Sequence, residues 1–278
     1  MAVIFIACNY CLCNKYWNGF LLFIHSRLSR WSGEFLKIMQ RYFALENKKT
    51  ASLSKEDVHH LLVVMRAKVG EEIEIVKDGK CAIYEIVSLK PLAFEKRLDL
   101  KTDNELLNKV TLYYCLVKGD KMDLVIQKAV ELGVDEIVLL ESERTIVRLD
   151  SSDHKKKIER YASIAKGAAM QSKRNVIPKI EKIVKLNELT SADLKDRNFV
   201  AYEEVAGTTK QFKTSIEQVK HGETVSILIG PEGGFSSKEI AQMKKIGFKE
   251  VSLGKRILRS ETAAISALSI ISFLLEAL

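Results

Sequence analysis

The N-terminal part of this 278-residue chain has no apolar run long enough for a membrane. Its two runs, residues 3–7 and 20–24, fall far short of the ~20 residues that a spanning helix needs. No cationic stretch precedes the first run, which argues against a secretory signal. Acidic residues are scarce there too, Glu34 being the single one, which leaves an organelle transit peptide open, although arginine is sparse. Cysteine is few and unevenly placed: of five, Cys8, Cys11 and Cys13 fall in the first 38 residues. Zinc needs a second ligand pair at suitable spacing, and none follows Cys11-Leu-Cys13, so no metal is expected. Cys81 and Cys115 are left as lone thiols of the buried type, consistent with a reducing cytoplasm. Both tryptophans, Trp17 and Trp31, also lie in the first 38 residues. That segment looks foreign to the rest. The expectation is that Met39 is the true start and that residues 1–38 are a mis-called, disordered extension.

What is present is ordinary in bulk. Hydrophobic residues make up 47% and charged ones 29%, as in a soluble globular protein. The net charge of +8 suits a polyanionic partner, or only a solvated basic surface. Setting aside Lys15, Arg27, Arg30, Lys37 and Glu34 leaves +5 on the part expected to fold.

From Met39 the chain divides in two. Residues 72–76 and 81–87 are short β-type runs separated by Asp78-Gly79, a strong hairpin signal. One helical patch, residues 55–67, interrupts them, so residues 39–108 read as a small β-rich barrel. His59-His60 stands in that patch without a partner motif and reads as structural. A charged stretch, residues 96–108, reads as the linker. After it, strands and helices alternate. Residues 110–117 form a mostly apolar strand, and residues 120–132 place Met122, Val125, Ile126, Ala129, Val130 and Leu132 at helical spacing. Residues 137–140, 199–202, 225–229 and 251–253 supply further strands. Residues 153–171, with a strongly basic first half, and residues 261–277 supply helices. Continuous apolar strands between helices indicate an α/β fold whose mostly parallel sheet is covered on both faces.

Two glycine loops stand out. In Ile227-Leu-Ile-Gly-Pro-Glu-Gly-Gly-Phe-Ser-Ser-Lys-Glu-Ile240 an apolar strand stops at Gly230-Pro231, because proline fixes φ and has no N–H. Gly233 and Gly234 permit close backbone approaches, and Ser236 with Glu239 reads as a capping box that opens a helix. Val251-Ser-Leu-Gly-Lys-Arg-Ile-Leu-Arg-Ser-Glu-Thr-Ala-Ala264 repeats the plan: strand, glycine loop with cations, helix. The pair can line one pocket at the strand ends. The loops lack the Gly-Lys-Ser/Thr ending of a P-loop and the spacing of a dinucleotide fingerprint. By spacing alone the ligand stays open, a phosphate included.

The residues go further. Gly230-Pro-Glu-Gly-Gly-Phe-Ser236 and Leu253-Gly-Lys-Arg-Ile-Leu-Arg-Ser-Glu-Thr-Ala263 closely resemble the signature of the RsmE family of ribosomal RNA methyltransferases. The resemblance extends to Lys118-Gly-Asp-Lys-Met-Asp-Leu-Val-Ile-Gln-Lys-Ala-Val-Glu-Leu-Gly133, Ser142-Glu-Arg144, Gln171-Ser-Lys-Arg174 and Met39-Gln-Arg-Tyr-Phe43, so it covers residues 39–278. It implies a SPOUT-type α/β trefoil-knot domain over residues 109–278, behind a PUA-like RNA-binding barrel over residues 39–108. It implies S-adenosylmethionine as methyl donor and, as acceptor, N3 of uridine 1498 (usual bacterial numbering) in 16S ribosomal RNA of the small subunit. It also implies a cytoplasmic homodimer with the site near the subunit interface.

By the same resemblance the donor lies against Ile229, Gly230, Pro231, Glu232, Gly233 and Gly234 on one loop. On the other it meets Leu253, Gly254, Ile257 and Leu258. Glu261 is the candidate to accept the N3 proton or hold the ring. Arg259 is the candidate to hydrogen-bond a uracil carbonyl or clamp a phosphate. The plainer alternatives are a carboxylate favoured by the helix dipole, a simple Arg259–Glu261 ion pair, and Ser260 as nothing more than an N-cap. Glu232 contacts donor or RNA, or merely fixes its loop. Arg41, Arg66, Lys68, Arg144, Gln171, Lys173 and Arg174 are candidate RNA contacts, with ordinary surface residues as the alternative. Gly167 and Met170 depart from the family pattern, where polar residues are usual. A sister methyltransferase acting on a ribose 2′-hydroxyl, and a non-catalytic RNA-binding protein, stay open as alternatives.

Overall fold

The computed structural model describes residues 39–45, 51–102, 104–147, 151–180, 182–203 and 209–277. The expectation for residues 1–38 lies outside the described residues.

Two sheets organise the chain. In the first, β1 (Arg41–Phe43) pairs in parallel with β2 (Glu72–Lys77), while β3 (Lys80–Leu89) and β4 (Leu92–Leu100) follow antiparallel, in the order β1-β2-β3-β4. The β2–β3 turn has positive φ at both central residues, 50° at Asp78 and 73° at Gly79, as a tight hairpin requires. The charged stretch expected as a linker begins inside this sheet. Alternation of Leu98 and Leu100 with charged residues carries β4 to Leu100, and the connection starts after it. The helical patch is also shorter than expected. Helix α1 (Lys55–His59) is capped by Ser54, whose Oγ accepts from Asp57 N, and it widens into a π turn over His60–Val64. His60 is structural: its Nδ1 lies 3.0 Å from the Tyr42 hydroxyl. Tyr42, Leu61, Ile73, Ile75 and Ile86 form the core of this part, and Met170 from the second part packs against it. An apolar Met170 is therefore a packing residue.

The second sheet has six parallel strands in the order β10-β8-β9-β5-β6-β7. They are β5 (Val110–Cys115), β6 (Glu136–Glu141), β7 (Ile183–Lys185), β8 (Arg197–Ala201), β9 (Val225–Ile229) and β10 (Lys249–Val251). Every residue of β5 and β9 is buried, because apolar clusters cover both faces of the sheet. The helices are α2 (Asp120–Glu131), α3 (Ser151–Gln171), α4 (Thr209–Glu217), α5 (Ser237–Ile246) and α6 (Ser260–Glu276). Helix α2 buries Met122, Val125, Ile126, Ala129 and Val130, the stripe read from spacing. The capping box opens α5 as expected: Glu239 N donates to Ser236 Oγ and Ser236 N donates to Glu239 Oε2 at 2.8 Å.

A buried charge network joins the two parts, and it corrects three of the expected RNA contacts. Arg41 is 3% exposed. Its Nε meets Glu74 Oε2 at 2.7 Å, and its Nη1 donates to Lys173 O, to Arg174 O at 3.1 Å and to Asn175 Oδ1 at 2.9 Å. Lys173 Nζ adds a second cation 3.0 Å from Glu74 Oε2. Arg174 is equally buried, held by Glu105 and by the carbonyls of Val130 and Val134. A guanidinium whose donors are taken up by buried acceptors is not presented to RNA. Arg41 and Arg174 are joint residues, and Lys173 is bound into the same joint.

Candidate active site

The two glycine loops leave the C-terminal ends of β9 and β10, beside the place where chain order reverses between β5 and β9. Such a crevice is the usual ligand site of an open parallel sheet. Ile229, Gly230, Pro231, Glu232 and Gly234 line a cleft of about 340 Å³, and Ile257, Leu258 and Arg259 close it from the second loop. Leu253 and Gly254 line a lobe of about 100 Å³ that shares Ile257 and Leu258 with the main cleft. Gly233 lines neither. Its role is close approach, since a Cβ there would lie 3.2 Å from Arg144 Cβ.

The cleft walls are backbone brought close. Gly234 has φ +66°, and a Cβ on it would sit 2.8 Å from Glu203 Oε1. A Cβ on Gly230 would meet the Phe235 ring at 3.1 Å. The main cleft lies at the lower end of the ~300–1,000 Å³ range of small-molecule sites. Ile257 is 87% exposed at its mouth, an apolar side chain placed where a ligand's flat face can cover it.

The electrostatics come from a residue that the sequence did not single out. Lys121, in the first turn of α2, puts Nζ 3.3 Å from Glu232 Oε1 and 3.4 Å from Glu261 Oε2. Glu261 is therefore paired with Lys121 and not with its neighbour Arg259. Glu261 Oε2 is buried and receives no hydrogen bond, although the ammonium faces it. Arg259 is exposed and makes no ion pair among the described residues. Glu203 is also on the wall, so the cleft carries two carboxylates, Glu203 and Glu232, beside two cations, Lys121 and Arg259.

Ser260 is not the N-cap; Arg259 occupies that position. Ser260 Oγ instead lies 2.6 Å from Gly230 O and 3.0 Å from Tyr114 OH, tying α6 to β5 and to the first loop. Each hydroxyl has one proton, so both contacts are satisfied when Tyr114 donates to Ser260 and Ser260 to Gly230. Burial pushes the Tyr114 hydroxyl well above its ordinary range, and the charges of Glu261 and Glu232 add to this against the Ser260 hydrogen bond. It stays a neutral donor.

Arg144 is exposed, but its Nη1 donates to Gly233 O at 3.1 Å and to Phe235 O at 3.4 Å. Glu143 completes the grip, accepting from Ser236 Oγ at 2.9 Å while its own N–H donates to Glu239 Oε1 at 2.7 Å. Arg66, Lys68 and Gln171 are exposed and lie away from the cleft lining. Besides Lys121, spacing missed Ala201 and Glu203 at the end of β8 and Ala263 in α6. The strand-end rule applied to β8 would have found the first two.

The six-stranded parallel sheet with a backbone-lined cleft at its strand ends matches the α/β fold of SPOUT-type methyltransferases. The RNA methyltransferase domain model matches residues 104–272. A ribosomal RNA small subunit methyltransferase E from Bacillus subtilis is 36% identical, over 86% of this chain and 98% of its own length. One from Mesomycoplasma hyopneumoniae is 40% identical, over 83% of this chain and 98% of its own. The crystal structure of the Neisseria gonorrhoeae enzyme bound to S-adenosylmethionine superposes with a TM-score of 0.74 at 32% identity, covering 85% of this chain and 98% of that one. This chain belongs to the ribosomal RNA small subunit methyltransferase E family. It is an S-adenosylmethionine-dependent RNA methyltransferase, and the cleft's size and bare backbone fit a donor of that size.

Proposed function

We propose that this enzyme methylates N3 of a uridine in 16S ribosomal RNA of the small subunit, at uridine 1498. The bound donor supplies an electrophilic methyl group, so the chain's work is positioning and proton removal. The observation that carries the reading is Glu261 Oε2, buried beside the cleft, ion-paired with Lys121 at 3.4 Å and receiving no hydrogen bond. Uracil N3 carries one hydrogen, which it must lose as its lone pair attacks the methyl carbon. Glu261 accepts that proton, and Lys121 keeps the carboxylate aimed at the cleft. Arg259, with its guanidinium unengaged, hydrogen-bonds a uracil carbonyl where negative charge develops. A ribose 2′-hydroxyl is the competing acceptor.

Several finer expectations join this proposal. Residues 39–108 form a PUA-like RNA-binding part, with Arg66 and Lys68 exposed beside the π turn. Residues 109–278 form the methyltransferase domain. Its C-terminal segment is tied in a trefoil knot. The protein is a cytoplasmic homodimer, for which Phe273, 72% exposed in a mostly apolar groove with Ile270 and Leu274, supplies a face. A light-scattering mass of one chain in an aggregate-free sample would refute the dimer.

The test incubates the full chain with labelled donor and small subunits lacking the modification, followed by RNA digestion and mass spectrometry. N3-methyluridine at one site is the expected result. Methyl on ribose or on another base would overturn it.

A further inference from the structure

Helix α3 is longer at its start than the sheet requires. Helices α2 and α3 follow the neighbouring parallel strands β5 and β6, so they run side by side in the same direction. The Arg160–Asp123 pair sets their stagger at the start of α2, and a second contact ties their far ends. Arg160 of α3 pairs with Asp123 in the first turn of α2, and just beyond α3 Arg174 reaches the carbonyls of Val130 and Val134 near the end of α2. Arg160 is thus level with Asp123, and the start of α2 at Asp120 is level with residue 157. The turns of α3 before that run on past the sheet's C-terminal edge, by about 9 Å at ~1.5 Å per residue. Lys121 lines the cleft from the same first turn of α2. The overhang therefore rises from the cleft's rim.

The overhang carries Lys155, Lys156 and Lys157. The first two are exposed and the third half-buried, and none of the three makes an ion pair among the described residues. Asp153 and Glu159 share the segment without pairing with them. Across the cleft, Lys255, Arg256 and Arg259 are exposed and likewise without an ion pair among the described residues. Glu203 and Glu232 line the cleft beside Lys121 and Arg259, and further cations stand on both sides of its mouth. A polyanion suits that rim.

We infer that the N-terminal overhang of α3 is an RNA-docking surface, with Lys155, Lys156 and Lys157 contacting backbone phosphates of the strand that delivers its base to the cleft. The inference rests on the RNA methyltransferase reading but not on which atom is methylated. Phosphate contacts of this kind set affinity and register and take no part in chemistry. They show as salt dependence, each cation adding about 0.7 to the slope of log affinity against log salt on single-stranded RNA.

The test compares the full wild-type chain with a Lys155→Ala/Lys156→Ala/Lys157→Ala variant. Binding of unmodified 16S ribosomal RNA is titrated at several salt concentrations, alongside donor affinity, melting temperature and methyl-transfer kinetics. The expected result is a slope shallower by up to about 2 and RNA affinity lower by roughly tenfold at low salt. KM for RNA rises, while kcat, donor affinity and melting temperature hold. An unchanged slope and KM would overturn the inference, leaving the lysines as a solvated face. So would loss of donor affinity without a change in slope, which would make the segment a support for the cleft. Should the alanine variant melt early, Lys→Gln at the same positions keeps the stems and gives the same readout. Wild-type enzyme that binds the RNA without methylating it would count against the N3 proposal alone, and the slope comparison would still decide this one.

Discussion

Replacing Arg41 separates a joint residue from an RNA contact. In the structure Arg41→Ala removes the closer of two cations from Glu74, whose side chain is only 10% exposed. It also strips a donor from the carbonyls of Lys173 and Arg174 and from Asn175 Oδ1. Breaking a buried pair by removing one partner costs about 3–5 kcal/mol. Lys173 Nζ remains 3.0 Å from Glu74, so the carboxylate keeps some compensation and the lower end applies. In a chain of this size about 3 kcal/mol lowers the melting temperature by ~2–4 °C per kcal/mol, or roughly 6–12 °C. Arg41→Lys keeps the charge but not the fork of donors, and falls between. The assay is thermal unfolding by circular dichroism, with RNA affinity measured below the transition. A melting temperature within about 2 °C of wild type, together with a clear fall in RNA affinity, would refute the burial argument and return Arg41 to the RNA surface.

Glu261→Gln keeps the shape but cannot take the proton. Single-turnover rates should fall about 10²–10⁴-fold while donor affinity by calorimetry stays within a few-fold, and an unchanged rate would remove Glu261 as the base. Arg144→Ala releases the carbonyls of Gly233 and Phe235, so donor affinity should fall about fivefold, corresponding to a partly exposed hydrogen bond of about 1 kcal/mol, with RNA affinity unchanged. The opposite pattern would make it the RNA contact first expected. Burial raises the Asp135 carboxyl above its usual range, the Val110 N–H and Arg174 opposing. The unfolded chain therefore loses this proton first as pH rises, and Asp135 weakens the fold increasingly through and above the ordinary carboxylate range. Asp135→Asn should match wild type in melting temperature at pH 3 and exceed it at pH 7; a larger gap at the acid end would contradict the sign.

The strands and helices legible in the sequence were those with sustained patterns. The mostly apolar 225–229 run ended at Gly230-Pro231, where proline stops a strand, and the α2 stripe ran for most of three turns. The missed elements are short or rest on distant partners. β1 and β7 have three residues each, too few for a period to appear. Leu98 and Leu100 marked β4 within a charged stretch, but charge is what edge strands carry on their solvent side. At the site, the loop residues were legible because glycine and proline declare backbone geometry locally. Lys121 was not. Its role depends on a helix whose first turn faces Glu232 and Glu261, which follow more than 100 residues later.

The same contrast explains which cations were misread. A basic residue in sequence looks like a surface charge, and a net +8 invites giving each one to RNA. Where an arginine finds a buried carboxylate and free carbonyls, however, folding consumes it. Arg41 has Glu74 and Arg174 has Glu105, and both lie at the joint between the sheets. Among the described residues, cations without an ion pair include Arg66 and Lys68 after the π turn, Arg259 with Lys255 and Arg256 at the cleft, and the lysines of the α3 overhang. A long-range field depends on this remainder and not on the total, because each internal pair cancels beyond a Debye length of about 8 Å at physiological salt. Substituting joint arginines should therefore change stability and leave the salt slope of RNA binding in place. Substituting rim lysines should do the reverse.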